Sequence, residues 1–254
     1  MKASRRHNAR RLVGVFSVLA FPASFYYFSP YLSVLGASKG VVAGSALLFG
    51  LLFLSSLVVG RLFCSWACPA GALMDLVATA RPKRFDRSKY HWIKYLLWAP
   101  WLFALLSLFV RHGAPMALEP GFETEYGLSA TSAPALIMYL MIASAFFALS
   151  AVLGKRAGCH LVCWMAPFMV LGRAVSMSLR LPALRLHAER GSCTLCKACE
   201  KSCPMSIEIS GLVQRQDADH MDCTLCGECV DSCPSGCLRF AWAPPQGGRG
   251  ERQP

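Results

Sequence analysis

The chain has 254 residues, 55% of them hydrophobic and only 16% charged, against about 25% charged in an average globular protein, which argues against a soluble fold of this size. Its 13 cysteines are too few for a disulfide-stapled miniprotein and too many to be incidental. The 26 Lys and Arg against 14 Asp and Glu leave a net charge of +12, which would suggest nucleic acid in a soluble chain but records topology in a membrane chain.

In chain order, a basic N-terminus (residues 1–11, with Lys2, Arg5, Arg6, Arg10 and Arg11) precedes the uncharged run Leu12 to Ser38. Val41 to Val59, Tyr95 to Val110 and Tyr126 to Gly154 are three further uncharged runs. Each is long enough to cross about 30 Å of hydrocarbon as a helix, the third if Lys94 snorkels and the helix extends back towards His91. Buried core helices would read similarly, but none of the four shows the polar face of a surface helix. A secretory signal peptide is the rival for the first run; its length and the lack of a small-residue cleavage site favour an uncleaved helix. With Met1 inside, 24 of the 26 basic residues fall on the inner side and only Lys39 and Arg111 outside, so both termini and every cysteine are expected in the cytoplasm.

The second run leads into Gly60-Arg61-Leu62-Phe63-Cys64-Ser65-Trp66-Ala67-Cys68-Pro69, and the fourth into Gly154-Lys155-Arg156-Ala157-Gly158-Cys159-His160-Leu161-Val162-Cys163. Both cysteine positions recur at an offset of 95, so the membrane part reads as two repeated hairpins. Cysteines four apart share a helical face, and two such pairs could offer four thiolates to a metal or a further iron–sulfur site. A dithiol/disulfide switch and a pair of structural half-sites are the other readings. His160, between the second pair, could bind metal or take a quinol proton, against a merely solvated interfacial histidine. His91 and His112 lie near opposite ends of the third helix, unlike a haem-ligating pair. Trp66, Trp92, Trp98, Trp101 and Trp164 read as an interfacial belt, with a quinone pocket as the alternative. Pro100 predicts a kink in the third helix.

Residues 165–190, with Arg173, Arg180, Arg185 and Arg190, read either as a basic interfacial segment or as a linker. Beyond them, Cys193-x-x-Cys196-x-x-Cys199-x-x-x-Cys203-Pro204 recurs 30 residues later as Cys223-x-x-Cys226-x-x-Cys229-x-x-x-Cys233-Pro234. This is the bacterial two-cluster ferredoxin pattern, in which three close thiolates hold one cubane and the fourth reaches across to the other. It assigns Cys193, Cys196, Cys199 and Cys233 to one [4Fe–4S] cluster and Cys223, Cys226, Cys229 and Cys203 to the second; zinc ribbons use paired ligands instead. Lys197, Lys201, Glu200, Glu228 and Asp231 are taken as solvated faces, and Cys237 as a buried thiol outside both quartets. The Gly-, Pro- and Arg-rich tail from Pro244 reads as disordered.

Together these residues resemble the membrane polyferredoxin family that includes the ferredoxin subunit of periplasmic nitrate reductase systems (NapH), the nitrous-oxide reductase accessory protein (NosR) and the methylamine-utilisation protein MauN. Cys64, Cys68, Pro69, Cys159, Cys163 and the eight ferredoxin cysteines carry the match, and Pro167 stands three positions later than the pattern has it. The resemblance implies electron passage between the quinone/quinol pool and a redox partner such as a ferredoxin, cytochrome or reductase subunit, in a bacterial inner membrane. A regulatory or maturation factor supplying electrons for assembly of another metalloenzyme is the alternative. The expected fold is an α-helical integral membrane protein with four transmembrane helices and a C-terminal α+β dicluster ferredoxin-like domain. Its expected parts are the basic N-terminus, the membrane domain (12–187), the ferredoxin domain (188–242) and the tail (243–254). Its cofactors would be two [4Fe–4S] clusters, with quinone and a third metal site at Cys64, Cys68, Cys159 and Cys163 left open. Nucleic acid drops out as a partner.

Overall fold

The computed structural model describes residues 5–86, 90, 92–113, 117–215 and 218–245. Helix α1 (Arg5–Ser24) ends in a 3₁₀ turn at Phe25–Phe28, and α2 (Pro30–Ser38) then restarts, with Ser29 capping it by accepting from the Leu32 N–H and Pro30 at the first turn. The first apolar run is therefore two helices rather than one. Proline and serine at its centre broke what hydropathy alone joined. Strand β1 (Val41–Ala43) leads into α3 (Gly44–Val59) and runs parallel to β2 (Ala117–Glu119) in the connection after α6 (Ile93–His112). Helix α7 (Ala133–Leu153) starts at a Ser132 cap.

Arg5–Ser38, Ile93–His112 and Ala133–Leu153 are long and apolar enough to cross a membrane. Four spans were expected. The fourth, α3, has 16 residues, which is about 24 Å at 1.5 Å per residue and falls short of the hydrocarbon thickness. Helices α6 and α7 expose most of their apolar side chains, among them Phe103, Leu106, Val110, Ile137 and Met141.

After α3 comes a five-residue helix, α4 (Leu62–Trp66), then α5 (Pro69–Ala80); after α7 comes another, α8 (Ala157–Leu161), then α9 (Met165–Ser178). The exchange of partners is reciprocal: α5 packs on α7, the long helix of the other repeat, and α9 packs along α3. Residues 165–178, expected as a linker or interfacial segment, are thus a helix whose Met165, Ala166, Met169, Gly172 and Arg173 are buried.

Strand β3 (Ala183–Ala188) pairs antiparallel with β4 (Leu238–Ala243), from Ala183 opposite Ala243 to Ala188 opposite Leu238. The strands bracket three short helices, α10 (Ala198–Ser202), α11 (Ile209–Gln214) and α12 (Glu228–Asp231). The expected start of the ferredoxin domain at 188 falls at the end of β3, and most of the expected disordered tail lies outside the described residues. A core of Met205, Ile207, Leu212, Val213 and Leu238 joins Met74 of α5 and Cys159 of α8, so the C-terminal unit shares its core with the helical part.

Candidate iron–sulfur sites

The two ferredoxin loops share a backbone as well as a spacing. Left-handed residues occur at Leu195 and Lys197 in the first loop and at Leu225 and Gly227 in the second, then at Ser206 and Gly236 after the two Cys-Pro pairs. Each pair is 30 residues apart. Alternating left-handed with ordinary conformations gathers backbone N–H groups on one side of a loop, a concavity suited to an anion. Leucine and lysine do not adopt this geometry freely. Its recurrence at equivalent positions is what a loop wrapped around a cluster core and its sulfurs requires, so the residues fit the group.

The fold gathers cysteines of both loops in one place. Cys229 has Cys226, Cys223, Cys203 and Cys199 among its electrostatic neighbours, and Cys199 has Cys233 among its own. Cys196 is exposed at the outer edge, while Cys203 and Cys229 are buried. Burial pushes the Cys199 and Cys226 thiols up to about 11, and cluster binding, which needs thiolates, must expel their protons. At Cys233, burial acts the same way, but hydrogen bonds with Ser235 and Cys237 outweigh it and bring the thiol down to about 7. Cys237 is closer to the chemistry than expected: its Sγ lies 3.4 Å from that of Cys233.

Several side chains assigned to solvent are structural. Glu228 accepts from Arg10 at 2.5 Å and pairs with His7 at 2.8 Å; Asp231 pairs with Arg6 at 3.5 Å; Glu200 is buried and accepts from Ser210. Lys94 does not snorkel. It is buried, and its ammonium lies 2.9 Å from Asp222, which also accepts from Arg61 at 2.7 Å. Asp219 pairs with Arg173 and Arg185. Asp219, Asp222 and Glu228 of the C-terminal unit are therefore clamped to Arg173, Arg61, Lys94 and Arg10 of the helical part. His160 is fully buried and stacks on Phe85 with ring centroids 4.8 Å apart, so it is not a solvated interfacial histidine. Trp98 and Trp101 turn inward onto Phe168, at 5.2 and 5.8 Å, instead of forming a belt.

Cys64, Cys68, Cys159 and Cys163 are all buried, 4–8% exposed, at the junction of the two repeats and the C-terminal unit. Cys159 has Cys163, Cys68 and Cys64 among its electrostatic neighbours, so the fold brings the two distant pairs together. Arg61 and Arg156, both fully buried, stand at the N-caps of α4 and α8. They recur at the same 95-residue offset as the cysteines, the signal in sequence that marks them as part of the repeat. Arg156 donates from Nε and Nη2 to Asp75, each at 2.7 Å.

A cavity of about 210 Å³ opens between α1, α5 and the C-terminal unit, and none of the four cysteines lines it. Gly14 and Val15 of α1 and Ala72 and Leu76 of α5 form its apolar wall; His7, Arg10, Asp75 and Glu228 form its polar end, with Ser65 and Pro204 between.

Comparison with known proteins fits this picture. Residues 42–88 match a 4Fe-4S binding domain and residues 192–238 a 4Fe-4S dicluster domain. The chain is 27% identical over 198 residues to an uncharacterised protein of Methanocaldococcus jannaschii, MJ0749, covering 74% of this chain and 71% of that one. It is also 27% identical over 200 residues to the "Putative electron transport protein YccM" of Escherichia coli, covering 72% of this chain and 52% of YccM, so it spans about half the length of that relative. No solved structure matches. The matches support an iron–sulfur protein carrying a dicluster domain and do not single out the nitrate, nitrous-oxide or methylamine systems.

Proposed function

We propose that this chain is a membrane-bound electron-transfer protein that passes electrons between the quinone/quinol pool and a soluble redox partner through two [4Fe–4S] clusters. The reading takes the membrane to be a bacterial inner membrane, with both termini cytoplasmic. The observation that carries it is the pair of ferredoxin loops with matching left-handed positions, joined by buried ion pairs to helices long enough to span a bilayer.

Cys193, Cys196, Cys199 and Cys233 would hold one cluster and Cys223, Cys226, Cys229 and Cys203 the other. When bound, such clusters exchange single electrons without moving bonds or protons. Cys196 stands at the surface where a soluble partner can approach. The cavity supplies the membrane end of the path. It has room for one six-membered ring, smaller than the pockets that take drug-sized ligands, and its polar end offers His7, Asp75 and Glu228 as acceptors. A quinol bound there would find His7, Glu228 and Asp75 within reach as acceptors for its two protons, and the clusters, when bound, would supply one-electron acceptors for its two electrons.

Anaerobic membranes containing the protein test this reading. A short-chain quinol should bleach the visible cluster absorbance, and His7→Ala with Glu228→Gln should slow that bleaching at least tenfold while dithionite still reduces the clusters fully. Clusters that dithionite reduces but quinol leaves oxidised would overturn the quinol reading.

A further inference from the structure

The 4Fe-4S binding domain matched at residues 42–88 contains only two cysteines, Cys64 and Cys68, half of what a cubane requires. The structure supplies the missing pair. We propose that Cys64, Cys68, Cys159 and Cys163 together hold one further iron–sulfur cluster, of the [4Fe–4S] type, each repeat contributing two ligands, so that the chain carries three clusters.

The two cysteine helices repeat the same backbone hydrogen bonds. Cys64 N–H donates to Arg61 C=O at 3.0 Å, and Cys159 N–H to Arg156 C=O at 2.9 Å. Cys68 N–H donates to Phe63 C=O at 2.9 Å, and Cys163 N–H to Gly158 C=O at 3.1 Å. The two half-sites therefore present their thiols in the same way, and the reciprocal packing of α5 on α7 and α9 on α3 turns them towards each other.

Arg61 is the second, independent observation. It is fully buried and uses Nη1 on Asp222, while its Nε and Nη2, also buried, have no acceptor among the described residues. Leaving charged donors unsatisfied in a protein interior is strongly unfavourable. The same guanidinium has Cys64, Cys159 and Cys163 among its electrostatic neighbours. A cluster between the four thiols would provide the missing acceptors, its thiolate and sulfide sulfurs, and the negative charge that two buried arginines balance.

The spacing separates a cluster from a single ion. Among the described residues no three His, Cys, Asp or Glu side chains converge as one zinc would need, with every Zn–S bond at about 2.3 Å. A cubane spreads its thiolates over four irons.

The position of the site also orders the path. Arg61 bridges it to Asp222, which precedes Cys223, and Arg156 has both Cys159 and Cys226 among its neighbours. The site therefore adjoins the Cys203/Cys223/Cys226/Cys229 group, with the Cys193/Cys196/Cys199/Cys233 group beyond.

The experiment is iron, acid-labile sulfide and zinc counting on the full-length protein, purified anaerobically and reconstituted, with Mössbauer spectroscopy to assign cluster type. Wild type should hold about 12 irons, and a Cys64→Ser/Cys68→Ser/Cys159→Ser/Cys163→Ser variant about 8. Should that variant fail to fold, a Cys196→Ser/Cys226→Ser variant, which damages only the ferredoxin sites, should keep the third cluster's signal. About eight irons in the wild type would overturn the proposal, whether the four thiols alkylate freely, carry zinc or have lost two hydrogens to a disulfide. The count is independent of quinol, so it can succeed where the quinol test fails, and the reverse.

Discussion

Asp222 shows at the residue scale what the charge count could not. By sequence it is one of 14 acids beside a ferredoxin cysteine, and Lys94 and Arg61 are two of many basic residues that fix topology. In the structure one carboxylate holds both cations with all three side chains out of water. Removing the shared partner from buried cations costs about 3–5 kcal/mol, because the charges left behind are neither solvated nor neutralised. Asp222→Ala should therefore sharply lower the thermal midpoint in detergent, whereas Glu123→Ala, which breaks an exposed pair with Lys39, should leave it within a degree or two. Equal midpoints would mean that the clamp carries no stability. Cysteine spacing needed no such context. A ligand motif is local in sequence, whereas an ion pair between residues 61, 94 and 222 exists only after folding, and no periodicity announces it.

At the scale of elements, hydropathy located the apolar runs but not their breaks. The run from 12 to 38 is uncharged throughout, yet it divides at Ser24–Ser29, where serine caps and Pro30 favour a new helix start. Helix α9 was hidden for the opposite reason, since Arg173 made a buried helix look like a basic linker. Its contact with α3 depends on Gly172, where an added Cβ would overlap Ser56 Oγ and sit 2.6 Å from the Phe53 carbonyl oxygen. Small residues at such crossings let helices approach closely. Gly172→Ala should cost about 1–3 kcal/mol by forcing α9 from α3. Gly50→Ala on α3, where an added Cβ meets nothing within 4 Å, is the control and should be silent in the same unfolding measurement. Loss of stability in both would point to helix geometry rather than to this contact.

At the scale of the whole molecule, the C-terminal unit is not an appended ferredoxin. Its loops were legible because chemistry fixes their spacing, but its attachment was not, because the cations that hold it lie at positions 10, 61, 94 and 173. A fragment starting at Ala183 keeps every ferredoxin cysteine and leaves Asp222 and Glu228 without their partners. That fragment should lose its visible cluster absorbance to a chelator several-fold faster than the full chain; equal rates would show that docking does not protect the clusters. The clamp between Arg10 and Glu228 also has a consequence in time. Arg10 leaves the ribosome more than 200 residues before Glu228, early enough, on the proposed topology, to help orient α1 in a bilayer before the C-terminal unit folds onto the same side chain. A chain whose first helix inserted backwards would carry Arg10 to the far face and leave Glu228 with no cation to meet. Closure of the redox unit thereby inspects the insertion that preceded it, and a misinserted chain would be left with an undocked, oxygen-exposed ferredoxin open to proteolysis.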